Sequence, residues 1–146
     1  MAPETHSDEE PQPRPQVILL VEDEFLVRLV AADYLRDSGY TVIEVSSAGE
    51  ALTVIASQTQ IDLVFSDINL PGWMDGEVFA NWLSIRRPDI PVILTSGAVT
   101  PTLLRDSDVL RFVSKPYVMA DVEQGIRELL GKARSPAGES RRPSQT

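Results

Sequence analysis

Short apolar runs alternate with segments of helical spacing along the middle of the chain. Val17 to Val21 is an uninterrupted aliphatic run, which is typical of a strand buried on both faces. Four more runs predict strands, over 41–45, 63–67, 92–95 and 111–113. Amphipathic segments between or after these runs predict helices, over 25–35, 47–55, 75–85 and 118–130. This alternation predicts an α/β protein with a doubly wound, five-stranded parallel sheet and helices on both faces.

Local signals mark where these helices begin and end. Ser47 and Glu50 have the spacing of a capping box, and Asp75-Gly76 is typical of a second helix start. Ser38-Gly39 predicts the end of the first helix. The segment 98–110 predicts only a weak helix, because it contains Pro101 and several consecutive polar residues.

The two ends of the chain differ in composition from the middle. Residues 1–16 contain four prolines and four acids, and we predict a disordered Pro/acid-rich arm, because this segment cannot bury much apolar surface. Residues 133–146 predict a second disordered tail, which is slightly basic. Residues 17–132 therefore form the one predicted domain.

Charge and cysteine content exclude several classes of function. Residues 17–132 carry seventeen acids and nine bases, which argues against nucleic-acid binding because phosphate contacts need a basic surface. We find no long apolar segment for a membrane span and no signal peptide, so we expect a cytoplasmic protein without membrane contacts. The chain has no cysteine, and its single histidine, His6, lies in the polar arm. Carboxylates, hydroxyls and lysine remain as the chemical groups available for catalysis.

Acidic residues follow two of the predicted strands. Asp67 ends the third strand, and Glu22-Asp23-Glu24 follows the first. In an open parallel sheet the ligand site lies beyond the carboxyl ends of the strands. Taken alone, Asp67 is an ordinary turn former, and the acidic run could serve only to favour the N-terminus of the next helix. Together, the crowded carboxylates need a hard cation such as Mg²⁺ to offset their repulsion.

The two remaining candidate strand ends carry a hydroxyl and a cation. Thr95-Ser96-Gly97 ends the fourth strand, and Ser114-Lys115-Pro116 ends the fifth. Each is unremarkable by itself, since hydroxyls occur in turns and single lysines reach solvent. Carboxylates, a hydroxyl and an ammonium group from four strand ends at one sheet edge are better explained by a shared functional site than by coincidence.

This ordered set of motifs resembles the receiver domain of two-component response regulators, the CheY-like family, over about residues 17–132. The resemblance implies a flavodoxin-like sheet with strand order 2-1-3-4-5. It implies that Asp67 accepts a phosphoryl group from a histidine kinase or histidine phosphotransfer protein in a Mg²⁺-dependent reaction. It also implies a stand-alone regulator, monomeric or weakly dimeric when phosphorylated, that signals in trans to a downstream protein through a switched face.

The resemblance also assigns roles to individual residues. Asp23 binds Mg²⁺ directly and Glu22 through water, while Asp67 and the backbone carbonyl of Asn69 complete the metal site. Lys115 contacts the phosphoryl group, and the Lys115-Pro116 peptide bond is cis. Ser96 is the switch hydroxyl, with Thr95 as the alternative, and Phe112 is the aromatic switch residue.

Two features depart from the family pattern. Trp73 lengthens the loop after Asp67 by one residue, and we interpret its indole as a loop anchor. The weak helix signal over 98–110 resembles receivers whose fourth helix is short or mobile.

Two other functions remain as alternatives. One is a constitutive binding module that does not depend on phosphate, against which the retained acids, hydroxyl and lysine argue. The other is a phosphohydrolase that forms an aspartyl phosphate, but such enzymes place an acid where this chain has Asn69, which cannot donate a proton in that way.

Overall fold

The five apolar runs form strands and the amphipathic segments form helices in the computed structural model, which describes residues 14–97 and 109–134. The fold begins with β1 (Val17–Val21), α1 (Phe25–Asp37), β2 (Thr41–Val45), α2 (Ala48–Ala56) and β3 (Leu63–Asp67). It continues with α3 (Gly76–Arg86), β4 (Val92–Ser96), β5 (Leu110–Ser114) and α4 (Met119–Arg134). The predicted weak helix lies almost wholly within 98–108, outside the described residues.

All strand pairs in this sheet are parallel, and the strand order is β2-β1-β3-β4-β5. This confirms the predicted fold. Val21 of β1 pairs with Ser66 of β3, and Asp67 pairs with Thr95 of β4. The carboxyl ends of the three central strands therefore end at the same level, which brings their terminal side chains to one edge.

Side chains alternate between the two faces of the sheet, and each face is covered by a separate apolar cluster. Leu19, Val21 and Val64 pack on the side of α2 and α3. Ile18, Leu20 and Phe65 pack on the side of α1 and α4. The helices thus cover both faces.

Helix α1 forms where its spacing predicts, but several of its large apolar residues do not enter the core. Phe25, Leu26 and Val30 are 61%, 69% and 62% exposed. The buried residues of α1 are Ala31, Ala32 and Leu35. The helix therefore packs on the sheet through its second half, and an apolar strip near its start faces solvent.

The predicted caps are present in the structure. The Ser47 hydroxyl accepts a hydrogen bond from the Glu50 N–H at 3.1 Å, and the Asp75 carboxylate accepts one from the Val78 N–H at 2.9 Å. The Glu50 carboxylate accepts from the N–H of Ser46, one residue before the position that a capping box uses. These bonds satisfy donors at the starts of α2 and α3.

Ordered contacts extend beyond both predicted domain boundaries. Arg14 pairs with Asp62 at 2.9 Å, and the Gln16 carbonyl accepts a hydrogen bond from the Thr41 N–H. Helix α4 continues to Arg134, two residues past the predicted boundary. Most of the predicted arm and tail lies outside the described residues. Within 14–97 and 109–134, no helix has the length and apolar character needed to cross a membrane.

Candidate functional site

Asp67 lies at the end of the central strand β3, every residue of which is buried. Helix α3 begins next to this strand end, because the Gly76 N–H donates a hydrogen bond to the Ile68 carbonyl at 2.7 Å. A Cβ at Gly76 would collide with the backbone carbonyl oxygen of Asp67. The start of α3 and the end of β3 are therefore in direct backbone contact, which fixes the position of the carboxylate.

Three carboxylates come together at this strand end. Since Val21 pairs with Ser66, the residue after β1 lies level with the last residue of β3. Glu22, Asp23 and Asp67 each offer one carboxylate oxygen, and these oxygens lie within 4.8 Å of one another. Glu22 and Asp67 are both only 5% exposed, whereas Asp23 is exposed to solvent.

Burial disfavours the charged form of Glu22. It raises the pKa of the Glu22 carboxyl above its ordinary value, although a hydrogen bond from the Glu24 N–H acts in the opposite direction. The negative charge of Asp67 raises this pKa further. The cluster therefore favours a cation between its members.

Lys115 supplies a positive charge on the other side of Asp67. Its Nζ lies 2.9 Å from Asp67 Oδ2, and its backbone N–H donates to the Ser96 carbonyl at 2.8 Å. Burial lowers the pKa of Lys115, but the hydrogen bond and charge of Asp67 outweigh burial and raise that pKa above its usual value. The peptide bond between Lys115 and Pro116 is cis.

The two hydroxyls at the end of β4 lie on opposite faces of the sheet. Ser96 follows Leu94 by two residues, so both side chains lie on the same face. Leu94 belongs to the apolar cluster under α2 and α3, and Phe112 packs against that cluster. Thr95 lines a narrow crevice beside Asp67 on the α1 side, together with Tyr117. Ser96 and Phe112 thus share a face, and Thr95 is nearer to the α1 wall of the site.

The loop after Asp67 contains Asn69 and Trp73. The backbone N–H of Asn69 donates to Asp67 Oδ1 at 3.1 Å, while its side chain is exposed. The interpretation of Trp73 as a loop anchor is wrong, because Trp73 is 78% exposed. Leu70 and Met74, at 8% and 5% exposed, enter the core on either side of Trp73 and anchor the loop.

Two residues near the site were not identified from the sequence. Arg28 of α1 donates to the backbone carbonyl of Glu22 at 2.8 Å, and its Nε lies 3.4 Å from Glu44. Tyr117 lines the crevice beside Asp67. The available signals were an arginine six residues after the first acid and an aromatic residue two after the strand-end lysine. Neither signal is specific without coordinates.

The donor set fits a hard divalent cation. Carboxylate oxygens are the ligands that Mg²⁺ prefers, and the three acids are close enough to share one ion. Such a cation and the Lys115 ammonium group, which lies 2.9 Å from Asp67, would both offset the charge of an anion beside Asp67. The arrangement can therefore neutralise a doubly charged group such as a phosphoryl group.

Comparison with known proteins gives a consistent result. The family model described as "Response regulator receiver domain" matches residues 18–127. The chain is 34% identical over 119 residues to sensor kinase CckA of Brucella abortus, covering 79% of this chain and 12% of the kinase. It spans less than two thirds of the length of the first curated relatives that it matches.

Solved structures support the same relationship. A response regulator receiver protein from Sinorhizobium medicae superimposes with a TM-score of 0.74 at 27% identity, over 82% of this chain and 98% of that one. The response regulator TrrA from Thermotoga maritima, solved in complex with Mg²⁺ and BeF, gives a TM-score of 0.67 at 26% identity, over 78% and 98% of the two chains.

Proposed function

The chain belongs to the response regulator receiver domain family, and we propose that it accepts a phosphoryl group on Asp67 from a histidine kinase or a histidine phosphotransfer protein. One observation carries the assignment of the residue. The Asp67 carboxylate belongs to the acidic cluster with Glu22 and Asp23. It also lies 2.9 Å from Lys115 Nζ. Glu22 and Asp23 do not contact that lysine through a hydrogen bond among the described residues.

The proposed reaction uses the Asp67 carboxylate as the nucleophile. A carboxylate oxygen forms a bond to phosphorus while the bond between phosphorus and the donor's imidazole nitrogen breaks, and the electron pair of that bond stays on the nitrogen. Lys115 follows the charge from the carboxylate to the phosphoryl oxygens. Because its Nζ already lies within hydrogen-bonding distance of Asp67, little reorganisation is needed.

We assign the metal site to Glu22, Asp23, Asp67 and the backbone carbonyl of Asn69. Bound Mg²⁺ would supply positive charge opposite the lysine and so offset repulsion between the incoming phosphoryl group and the acids. Arg28 holds the backbone of Glu22 through its hydrogen bond to the carbonyl oxygen. This contact supports the turn that carries both acids.

We further propose that Ser96 and Phe112 form the switch and that output occurs in trans. A hydroxyl at the end of β4 can follow the phosphoryl oxygens once they are present, and Phe112 can then repack on the same face. The changed face would bind a downstream protein. Replacing Ser96 with alanine should leave phosphorylation of Asp67 in place but remove the change around Phe112, which ¹H–¹³C NMR of labelled phenylalanine can follow.

Phosphorylation by a small donor tests the proposal without knowledge of the kinase. Wild-type protein, Asp67→Ala and Asp67→Asn are incubated with phosphoramidate, with Mg²⁺ or with EDTA, and labelling is measured by phosphate-affinity electrophoresis. We expect labelling of the wild type only, and only with Mg²⁺. Equal labelling of the three proteins would end the assignment. A wild type that neither binds Mg²⁺ nor becomes labelled would favour the constitutive binding module.

A further inference from the structure

Tyr117 is the one core-packed residue between the end of β5 and the start of α4 in the described chain. Ser114, Pro116 and Val118 are all exposed, whereas Tyr117 packs against the apolar cluster on the α1 and α4 side. Lys115 lies two residues earlier. Its backbone is therefore held on one side by the bond to the Ser96 carbonyl and on the other by the Tyr117 side chain.

The Tyr117 ring contacts the strand that carries Asp67. Its centroid lies 6.2 Å from that of Phe65, with the two rings inclined at 68°, an edge-to-face arrangement. Phe65 is 2% exposed and precedes Asp67 by two residues, so both side chains lie on the same face of β3. One aromatic contact thus links the segments that provide Lys115 and Asp67.

Tyr117 also lines two spaces beside α1. With Val27 and Ala31, it lines both the narrow crevice beside Asp67 and an open groove of about 390 Å³ along α1. Burial is the main cause that raises the pKa of the Tyr117 phenol.

We propose that Tyr117 is a positioning residue that holds Lys115 against Asp67. The inference rests on the proposed function, because it deepens the role of Lys115 in binding a phosphoryl group. Tyr117 fixes the segment after the lysine by packing against Phe65, and it closes the α1 side of the site. The ring performs this task, and the hydroxyl is not required.

The first test measures the affinity for BeF₃⁻ in the presence of saturating Mg²⁺ by isothermal titration calorimetry. Tyr117→Ala should weaken binding about tenfold, the upper range for loss of an aromatic contact, whereas Tyr117→Phe should bind like the wild type. Tyr40→Ala is the matched control, because Tyr40 packs against the same apolar cluster but immediately before β2, at the opposite edge of the sheet. Equal weakening by Tyr40→Ala would assign the effect to general loss of packing and overturn the proposal.

A second readout requires no ligand. The NMR order parameter of the Lys115 ε-methylene group reports how tightly the ammonium group is held in the free protein. It should fall in Tyr117→Ala and stay unchanged in Tyr117→Phe and Tyr40→Ala. An unchanged value in Tyr117→Ala would show that Tyr117 does not position the lysine.

A double-mutant comparison with Lys115→Ala separates action through the lysine from independent effects. If Tyr117 acts through Lys115, then Tyr117→Ala should not slow phosphoramidate labelling further in the Lys115→Ala background. Additive slowing would contradict the proposal. Its failure is distinguishable from failure of the proposed function, since the latter would appear as equal labelling of wild type and Asp67→Ala.

Discussion

Lys115 Nζ lies 2.9 Å from Asp67 Oδ2, so one ion pair joins the ends of β3 and β5 across the intervening strand β4. The proposed metal site uses the same carboxylate. Bound Mg²⁺ would therefore compete with Lys115 for Asp67.

Replacing Lys115 with alanine should therefore separate metal binding from phosphorylation. We expect Mg²⁺ to bind about threefold more tightly, since the lysine is 33% exposed and its charge is partly screened. Labelling by phosphoramidate should slow by about a hundredfold, because a preorganised cation is lost. Calorimetry and timed labelling measure the two effects. A weaker Mg²⁺ affinity would contradict the competition.

Replacing Glu22 with glutamine should stabilise the protein while weakening its metal site. Burial raises the pKa of the Glu22 carboxyl in the folded state. The folded state therefore loses stability as the pH rises through that folded-state pKa. At pH 7 and without Mg²⁺, we expect Glu22→Gln to raise the free energy of unfolding by about 1 kcal/mol. Urea unfolding with and without Mg²⁺ measures this.

The same series provides its own control. Added Mg²⁺ should stabilise the wild type more than Glu22→Gln, because metal binding to the folded state adds to stability. The substitution Asp33→Asn, at an exposed position of α1, should leave both quantities unchanged. A destabilised Glu22→Gln protein in the absence of metal would contradict the electrostatic account.

Gly76 should not tolerate a side chain. A Cβ there would collide with the backbone carbonyl oxygen of Asp67, and neither backbone segment can move without disturbing the site. We expect Gly76→Ala to lower the free energy of unfolding by about 3 kcal/mol. The control is Gly49→Ala, also in the first turn of a helix, where the nearest atom would be 3.8 Å away. Chemical denaturation measures the change in the free energy of unfolding for both variants.

Asp62 should contribute stability that depends on pH. Burial raises its pKa, but hydrogen bonds from Arg14 and from the Val17 N–H outweigh burial and hold the pKa of Asp62 below its ordinary value. Such a group stabilises the fold above its unfolded pKa and loses that effect as the pH falls through the folded pKa.

The corresponding variant is Asp62→Asn. It should lower the free energy of unfolding by about 1 kcal/mol at pH 7 and converge with the wild type as the pH falls below about 4. Thermal unfolding across this pH range measures the difference, with Asp33→Asn on the exposed side of α1 as the control. A constant difference at all pH values would exclude the ionised pair as the cause.

The strand ends could be predicted from sequence because few residue types fit there. Asp67 comes two residues after the apolar run 63–65 and precedes a turn, and Lys115 comes two residues after the apolar pair Phe112-Val113. Since the parallel register brings the strand ends to one edge, the grouping of these residues followed from the fold class alone. The grouping of the site residues at one sheet edge could therefore be predicted without coordinates.

What the sequence could not provide was the direction of side chains on helices and loops. Phe25, Leu26 and Val30 have helical spacing, yet they are exposed. The residues of α1 that are buried are Ala31, Ala32 and Leu35. Trp73 was interpreted as a loop anchor, but Leu70 and Met74 occupy the core positions of that loop. Competition among neighbours for the same buried space decides such cases, and it is visible only in three dimensions.

The central claim is that Asp67 carries the phosphoryl group, and site mapping tests it most directly. Wild-type protein is labelled with phosphoramidate and Mg²⁺, the acyl phosphate is reduced with borohydride, and the digested peptides are sequenced by mass spectrometry. We predict that the reduced residue is Asp67 alone. A label on Glu22, Asp23 or another residue, or an equal yield of label in Asp67→Ala, would contradict the account.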